Sequence, residues 1–413
     1  MRLLIFLLIG VNLNAQLSNN KIKRWISSQD NLTNAHVSIA IKPLKKDKKI
    51  KGVNFNKYMT PASNLKLLTV LASIKLGDSI NSLKYKFVSD TLHISSTGYP
   101  LLEHPLYPDD ELSNLLKSAN VIVYHKGLNE IERYGPAWAW DDFIEYFSPE
   151  RNAFPLYGNV IMVTKSENGK LKVKPDIFET NLDTTFGKSH IRMEKKNYFT
   201  INPLKIKLND TILIPYIVSD ETTIRLIKDS TGKEVVSVSN RIINSENLYS
   251  KVPEKIYQSI LKKSDNLISE SLLANVGYTY TDTISVDKGI EKTLQNLIPE
   301  IQNGVEWYDG SGLSRYNMIQ SKSIIYVLNE IYNYWGLKKI KENFPNNYII
   351  NGKENFVWGK TGTLRNNHNY SGFIKSRKGK YYLFSIMINH FNADLLEIKQ
   401  SISDFLLYVN NNG

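Results

Sequence analysis

A serine and a lysine three residues apart, Ser63 and Lys66 in TPASNLKLLT, form the first pair along the chain equipped for covalent chemistry. A serine hydroxyl is a weak nucleophile until a base takes its proton. A lysine serves as that base when burial or a neighbouring positive charge lowers its pKa. On a helix, a spacing of three puts both side chains on one face, within hydrogen-bonding reach. Alone the pair is a weak signal, because a helix start followed by a solvated lysine reads the same way. The second set is Ser264-Asp265-Asn266 in KKSDNLISESLL. Here Ser264 could relay a proton and Asn266 could hold a substrate amide, while the competing reading is a helix cap made by Ser or Asp. The third is Lys360-Thr361-Gly362-Thr363 in FVWGKTGTLRN. Lys360 offers a point charge to a carboxylate, and Thr361 and Thr363 offer hydroxyls to the same group. Gly359 and Gly362 remove side chains where a peptide backbone would approach closely. A turn on an exposed strand edge is the alternative, but two glycines in a strand context need a reason.

The elements that must position these residues follow from periodicity. Residues 16–30 read as including a short helix, 37–41 as a strand, and the region near Val53 as a second strand after the lysine-rich turn KKDKK at 45–49. From Asn64 onward Leu65, Leu67, Leu68, Val70 and Leu71 predict a mostly buried helix, with Pro61 just upstream, where proline is tolerated. Residues 85–240 are rich in short β-like runs, among them LKVKP, IKLND and TIRLIKD, separated by Asn, Asp and Gly turns. Helical periodicity returns at 253–277 and 318–336. YSGFIKS and KYYLFSIMIN around RKGK predict a hairpin, and the last 20 residues predict an amphipathic helix. The expected organisation is an α/β (α+β) catalytic domain made of residues 16–85 plus 241–413, interrupted by a β-rich insertion at 86–240.

Composition narrows the chemistry. The chain of 413 residues has no cysteine, so thiol nucleophiles, disulfides and Cys-based metal centres are excluded. Its seven histidines form no HExxH pattern, and neither a metal nor a cofactor is expected. The start, MRLLIFLLIGVNLNAQ, has a basic end, a short apolar run and a small residue at Ala15. It reads as a secretory signal peptide over residues 1–15, which implies export. The net charge of +12 suits an acidic polymer or surface. Nucleic acid is not expected as a partner of an exported protein, whereas peripheral contact with membrane or cell wall is.

Ser-x-x-Lys, Ser-Asp-Asn and Lys-Thr-Gly in that order resemble the serine penicillin-binding proteins and β-lactamases. The strings around them resemble one branch, the class C low-molecular-mass penicillin-binding proteins, the D-alanyl-D-alanine carboxypeptidase/endopeptidases of peptidase family S13. TPASNLKLLT, TGYPLL at 97–102, GPAWAWDD at 135–142, SDNLISESLL, DGSGLSRYN at 309–317 and KTGTL at 360–364 carry the likeness. Tyr99 and Ala137 depart from the pattern. The resemblance implies a transpeptidase-like fold, an antiparallel central sheet flanked by helices, with extra domains inserted between the first two motifs. The 201 positions between Ser63 and Ser264 agree with that. It implies Ser63 as nucleophile, Lys66 and Ser264 as proton carriers, and Asn266, Lys360, Thr361, Gly362 and Thr363 as the substrate-binding set. The backbone N–H groups of Ser63 and Thr363 would form the oxyanion hole. It implies peptidoglycan stem peptides as substrates, β-lactams as inhibitors and a periplasmic location. Asp309 to Arg315 is expected to be architectural. Trp138, Trp140, Asp141 and Asp142 are expected to form a core-and-turn element more than a substrate-facing surface. Rival readings are a β-lactamase-like hydrolase and a non-catalytic peptidoglycan-binding protein.

Overall fold

Strict alternation builds the main sheet. Val37, Ile39, Ile41, Phe384, Ile386 and Ile388 are buried on one face, while Ser38, Ala40, Leu383, Ser385 and Met387 occupy the positions between them. Both faces are apolar, so both must be covered. The computed structural model describes residues 17–44, 48–127, 129–184, 189–348 and 356–413. The expected signal peptide at 1–15 and part of the lysine-rich turn, residues 45–47, lie outside the described residues.

The sheet has five antiparallel strands in the order Val357–Leu364, Asn367–Lys375, Tyr381–Asn389, His36–Pro43, Lys51–Val53. Helices Asn19–Ser27 and Leu395–Asn412 supply Ile22, Ile398, Ile402, Phe405 and Val409 to one apolar layer. On the other face lie Lys66–Leu76 and Ser321–Asn343. Residues 66–73 are buried all round, as are residues 266–278 of the neighbouring helix Asn266–Thr281. A helix buried on every side belongs to the middle of a fold, and any charged residue on it leaves water. Among the described residues no helix is long and apolar enough to cross a membrane.

The chain leaves this body at Ser79. Strands Glu234–Val238, Val121–His125, Thr91–Ser95, Ser79–Val88 and Glu246–Lys251 form a second, mixed five-stranded sheet in that order. Ser79–Val88 crosses the expected division at 85/86 and pairs with Glu246–Lys251. LKVKP does form a strand, Leu171–Lys174. Two other β-like runs do not. TIRLIKD lies in a helix, Asp220–Thr231, capped by Ser219, whose hydroxyl accepts from the Thr222 N–H, and ended by Gly232 at φ 69°. Its buried residues Thr223, Leu226 and Ile227 fall at helical spacing, which overrides the β preference of its branched side chains. IKLND precedes the strand Thr211–Pro215 and is not itself extended in a sheet.

Candidate active site

Ser63 does not sit on an α-helix. It lies in a 3-10 turn, Ala62–Leu65, that runs into the α-helix at Lys66. In a 3-10 turn side chains at i and i+3 eclipse, so Lys66 stands over Ser63 with Nζ 2.9 Å from Oγ. The residue before the nucleophile, Ala62, has φ 48°.

Lys66 is fully buried. Its Nζ also donates to Asn266 Oδ1 at 2.5 Å and to the Ser311 carbonyl at 2.6 Å. Two of its three neighbours can only accept, and the third, a hydroxyl, can give as well as take. A neutral amine satisfies all three, with two N–H bonds outward and its lone pair on the Ser63 proton. Burial pushes the Lys66 pKa down to about 8, against the pull of Asp309, Glu270 and Asp265. The geometry and the electrostatics therefore agree on a lysine able to act as a base.

In the second set the helix-cap reading is realised at Asp265. Asp265 is the helix cap, its carboxylate accepting from the Ile268 N–H at 3.0 Å. Ser264 stands just outside the helix, at the end of a π-turn over Ser259–Lys263, with φ 61°. Asn266 opens the helix and turns its side chain to Lys66, its Nδ2 donating to the Phe147 carbonyl at 2.6 Å. In this arrangement Asn266 holds the lysine.

The third set forms the edge strand of the main sheet. Lys360 is buried, donates to Ser264 Oγ at 3.0 Å and to the Thr361 carbonyl at 2.8 Å, and is pushed well below the usual lysine range by burial and by Lys66. Gly362 packs on the nucleophile turn, where a Cβ would lie 2.5 Å from the Pro61 carbonyl oxygen and 2.9 Å from the Ser63 nitrogen. Asn64 Nδ2 donates to the Lys360 carbonyl at 3.0 Å and ties strand to turn. A cleft of ≈ 660 Å³ opens over the group, with Ser63, Ser264, Asn266 and Thr363 on its walls. Lys66 and Lys360 lie behind those walls.

Other residues complete the site: Asp309 is expected as part of an architectural loop, whereas Glu270 and Arg151 are not singled out in the sequence. Asp309 is fully buried and accepts from the Gly312 and Ser314 N–H groups, Asn317 Nδ2 and Trp138 Nε1 at 2.6–2.9 Å. It folds the loop that delivers the Ser311 carbonyl to Lys66. Glu270, one turn beyond Asn266, accepts from the Ser311 N–H at 2.8 Å and pairs with Arg151 at 3.2 Å. Burial and Asp309 push its carboxyl up, and Arg151 opposes them. The signal available was an acid at i+4 from Asn266 on an otherwise apolar helix. The GPAWAWDD element divides. Trp138 supports Asp309, Trp140 is 78% exposed, and Asp142 lines the cleft together with Arg315. Trp140 is thus no part of a core, and at Asp142, in the 3-10 turn Trp140–Ile144, the less favoured cleft-facing alternative has its support.

Residues 246–407 match the D-Ala-D-Ala carboxypeptidase 3 (S13) family. The chain is 30% identical over 159 residues to the D-alanyl-D-alanine carboxypeptidase DacB of Haemophilus influenzae, covering 35% of this chain and 33% of that protein. That sequence match spans about a third of the relative's length. Among solved structures, penicillin binding protein 4 (dacB) from Haemophilus influenzae superposes with a TM-score of 0.72 at 19% identity, covering 94% of this chain and 99% of the other. The same protein complexed with a β-lactam gives 0.67 at 17% identity, covering 96% and 100%. These likenesses show the fold, a penicillin-binding-type transpeptidase architecture.

Proposed function

We propose that this chain, whose residues 246–407 belong to the D-Ala-D-Ala carboxypeptidase 3 (S13) family, is a serine D,D-peptidase acting on the D-alanyl-D-alanine termini or cross-links of peptidoglycan stem peptides. The observation that carries the reading is the buried Lys66 amine 2.9 Å from Ser63 Oγ, with its other two bonds taken by acceptors.

Neutral Lys66 takes the Ser63 proton as Oγ attacks the carbonyl carbon of the penultimate D-alanine. The resulting ammonium keeps Asn266 Oδ1 and the Ser311 carbonyl as acceptors, so charge develops where partners already stand. The backbone N–H groups of Ser63 and Thr363 receive the oxyanion. The Thr361 and Thr363 hydroxyls receive the substrate's terminal carboxylate, Lys360 backs them from behind the cleft wall through its bond to Ser264, and Gly362 lets the substrate-binding strand lie against the nucleophile. The proton passes by way of Ser264 to the departing amine. D-Alanine, or the peptide beyond a cross-link, leaves. Water, activated by Lys66 and Ser264, then hydrolyses the Ser63 ester. A β-lactam presents a similar carbonyl and carboxylate but no departing fragment, so its ester persists. The leader-like start of the sequence and the substrate together support export to the periplasm.

Intact-mass measurement of the purified protein after penicillin treatment tests this, with Ser63→Ala in parallel. The expected result is one stable adduct on the wild type and none on the variant. The acylation rate should climb about tenfold per pH unit as Lys66 loses its proton and level off above about pH 8. No adduct and no turnover would overturn the mechanism, and no adduct with rapid turnover would make the chain a β-lactamase.

A further inference from the structure

Behind the cleft, a buried histidine touches one of the carboxylate-binding residues. Thr363 and His368 face each other across the antiparallel pair Val357–Leu364 and Asn367–Lys375. Thr363 is exposed to the cleft, while His368 is 1% exposed. Thr363 Oγ1 lies 2.7 Å from His368 Nδ1, and His368 Nε2 lies 3.1 Å from the Tyr348 hydroxyl. The Tyr348 ring is itself fixed by stacking on Tyr370, with centroids 4.0 Å apart and planes 12° apart.

We propose that His368 is a positioning residue that aims the Thr363 hydroxyl proton into the cleft, and so sets the enzyme's preference for substrates ending in a free carboxylate. The inference rests on the proposed peptidase reading and deepens it. A neutral imidazole has one N–H and one lone pair, so the row Tyr348, His368, Thr363 can run in two directions. In one, Thr363 gives its proton to Nδ1, Nε2–H donates to Tyr348, and the cleft meets only threonine lone pairs, which repel a carboxylate. In the other, Tyr348 donates to Nε2, Nδ1–H donates to Thr363 Oγ1, and the threonine proton is left for the substrate. Bound carboxylate selects the second direction, and each bond in the row polarises the next. An amide terminus, with its own N–H, has no such demand.

Burial supports the row. It pushes His368 down to about 4, aided by the charge of Lys399, so the ring is neutral at ordinary pH. It pushes the Tyr348 phenol upward, so that group keeps the proton it must donate.

The test uses a D-alanyl-D-alanine peptide and the same peptide as its C-terminal amide, turned over by the full-length wild type, His368→Phe, His368→Gln and Tyr348→Phe. Turnover of the acid by the wild type establishes the reading on which the inference rests, and its failure overturns both. His368→Phe is expected to lower kcat/KM for the acid roughly tenfold, mostly through KM, since an orienting bond next to a charge is at stake. The amide should change less than about twofold. Glutamine carries an N–H that can reach Thr363, so His368→Gln should recover most of the acid-to-amide ratio. Tyr348→Phe removes a single O–H and should lower the ratio in the same direction without loss of folding, so the test stands even where His368→Phe does not fold. Equal losses for acid and amide in all the variants, or no change in either, would overturn the assignment.

Discussion

The region around Ser63 and the inserted region between residues 79 and 251 hold their buried cations at different closeness. Near the nucleophile, Lys66 has three partners within 2.9 Å, and Asp309 accepts four bonds of 2.9 Å or less. In the insertion, the buried Arg192 donates to the Phe143 carbonyl at 3.2 Å, interacts with the Tyr134 hydroxyl, and holds Nη1 a longer 3.7 Å from Glu150. Among the described residues Ser148 carries a buried oxygen without a hydrogen-bond partner, and so, beside the nucleophile, does Asn64 at Oδ1. At the nucleophile the insertion contributes the segment from Arg133 to Arg151, which gives Trp138 to Asp309, the Phe147 carbonyl to Asn266 and Arg151 to Glu270, while farther off Asn275 donates to the Asn81 and Thr97 carbonyls. Proton transfer demands atoms held in place. The insertion has to deliver only a few contacts at the seam, and the rest of it is free of that demand.

Substitutions chosen along this gradient sharpen the contrast or break it. Gly362→Ala should have the largest effect on the reaction rate. A methyl group 2.5 Å from the Pro61 carbonyl must push strand and nucleophile apart, and displacement of that kind costs about 10²-fold in acylation rate. Near wild-type penicillin acylation in a folded variant would show that the close approach is not needed. Asp309→Ala leaves the Gly312 and Ser314 N–H groups and Trp138 Nε1 without their acceptor and should cost about 3–5 kcal/mol, measured by denaturant unfolding. A loss below about 1 kcal/mol would mean that the loop holds itself. Trp140→Ala, at a position 78% exposed, should stay within about 0.5 kcal/mol and leave kcat/KM unchanged. A fall in kcat/KM there would show that the insertion's surface handles substrate, and the contrast would fail.

The same gradient governs what could be read from the sequence. Ser63, Lys66, Ser264, Asn266 and the Lys360–Thr363 strand stand in short strings because each pair is joined by local geometry, a turn or a strand. Strand and helix assignments in the main body followed from alternation and from the apolar run after Asn64. Glu270, Arg151 and His368 act across 41 to 119 positions or through an opposed strand, and no local pattern marks such partners, whereas Asp309 stood in the DGSGLSRYN string and closes three of its four bonds within eight positions. In the insertion, branched residues in TIRLIKD imitate a strand. The cap at Ser219, the acids Asp220 and Glu221 in the first turn and Gly232 at the end were the better guide.

Ala62 and Ser264 both hold left-handed backbone, at φ 48° and 61°, and neither is glycine. Each forgoes about 1–2 kcal/mol relative to an unstrained residue. Selection for robustness alone would replace both with glycine or asparagine, and a laboratory search for heat resistance should find these positions early. At 62 the change to glycine removes only a methyl group. At 264 it removes the hydroxyl that Lys360 holds. The two sites therefore separate tolerance that evolution left unused from tolerance it could not take.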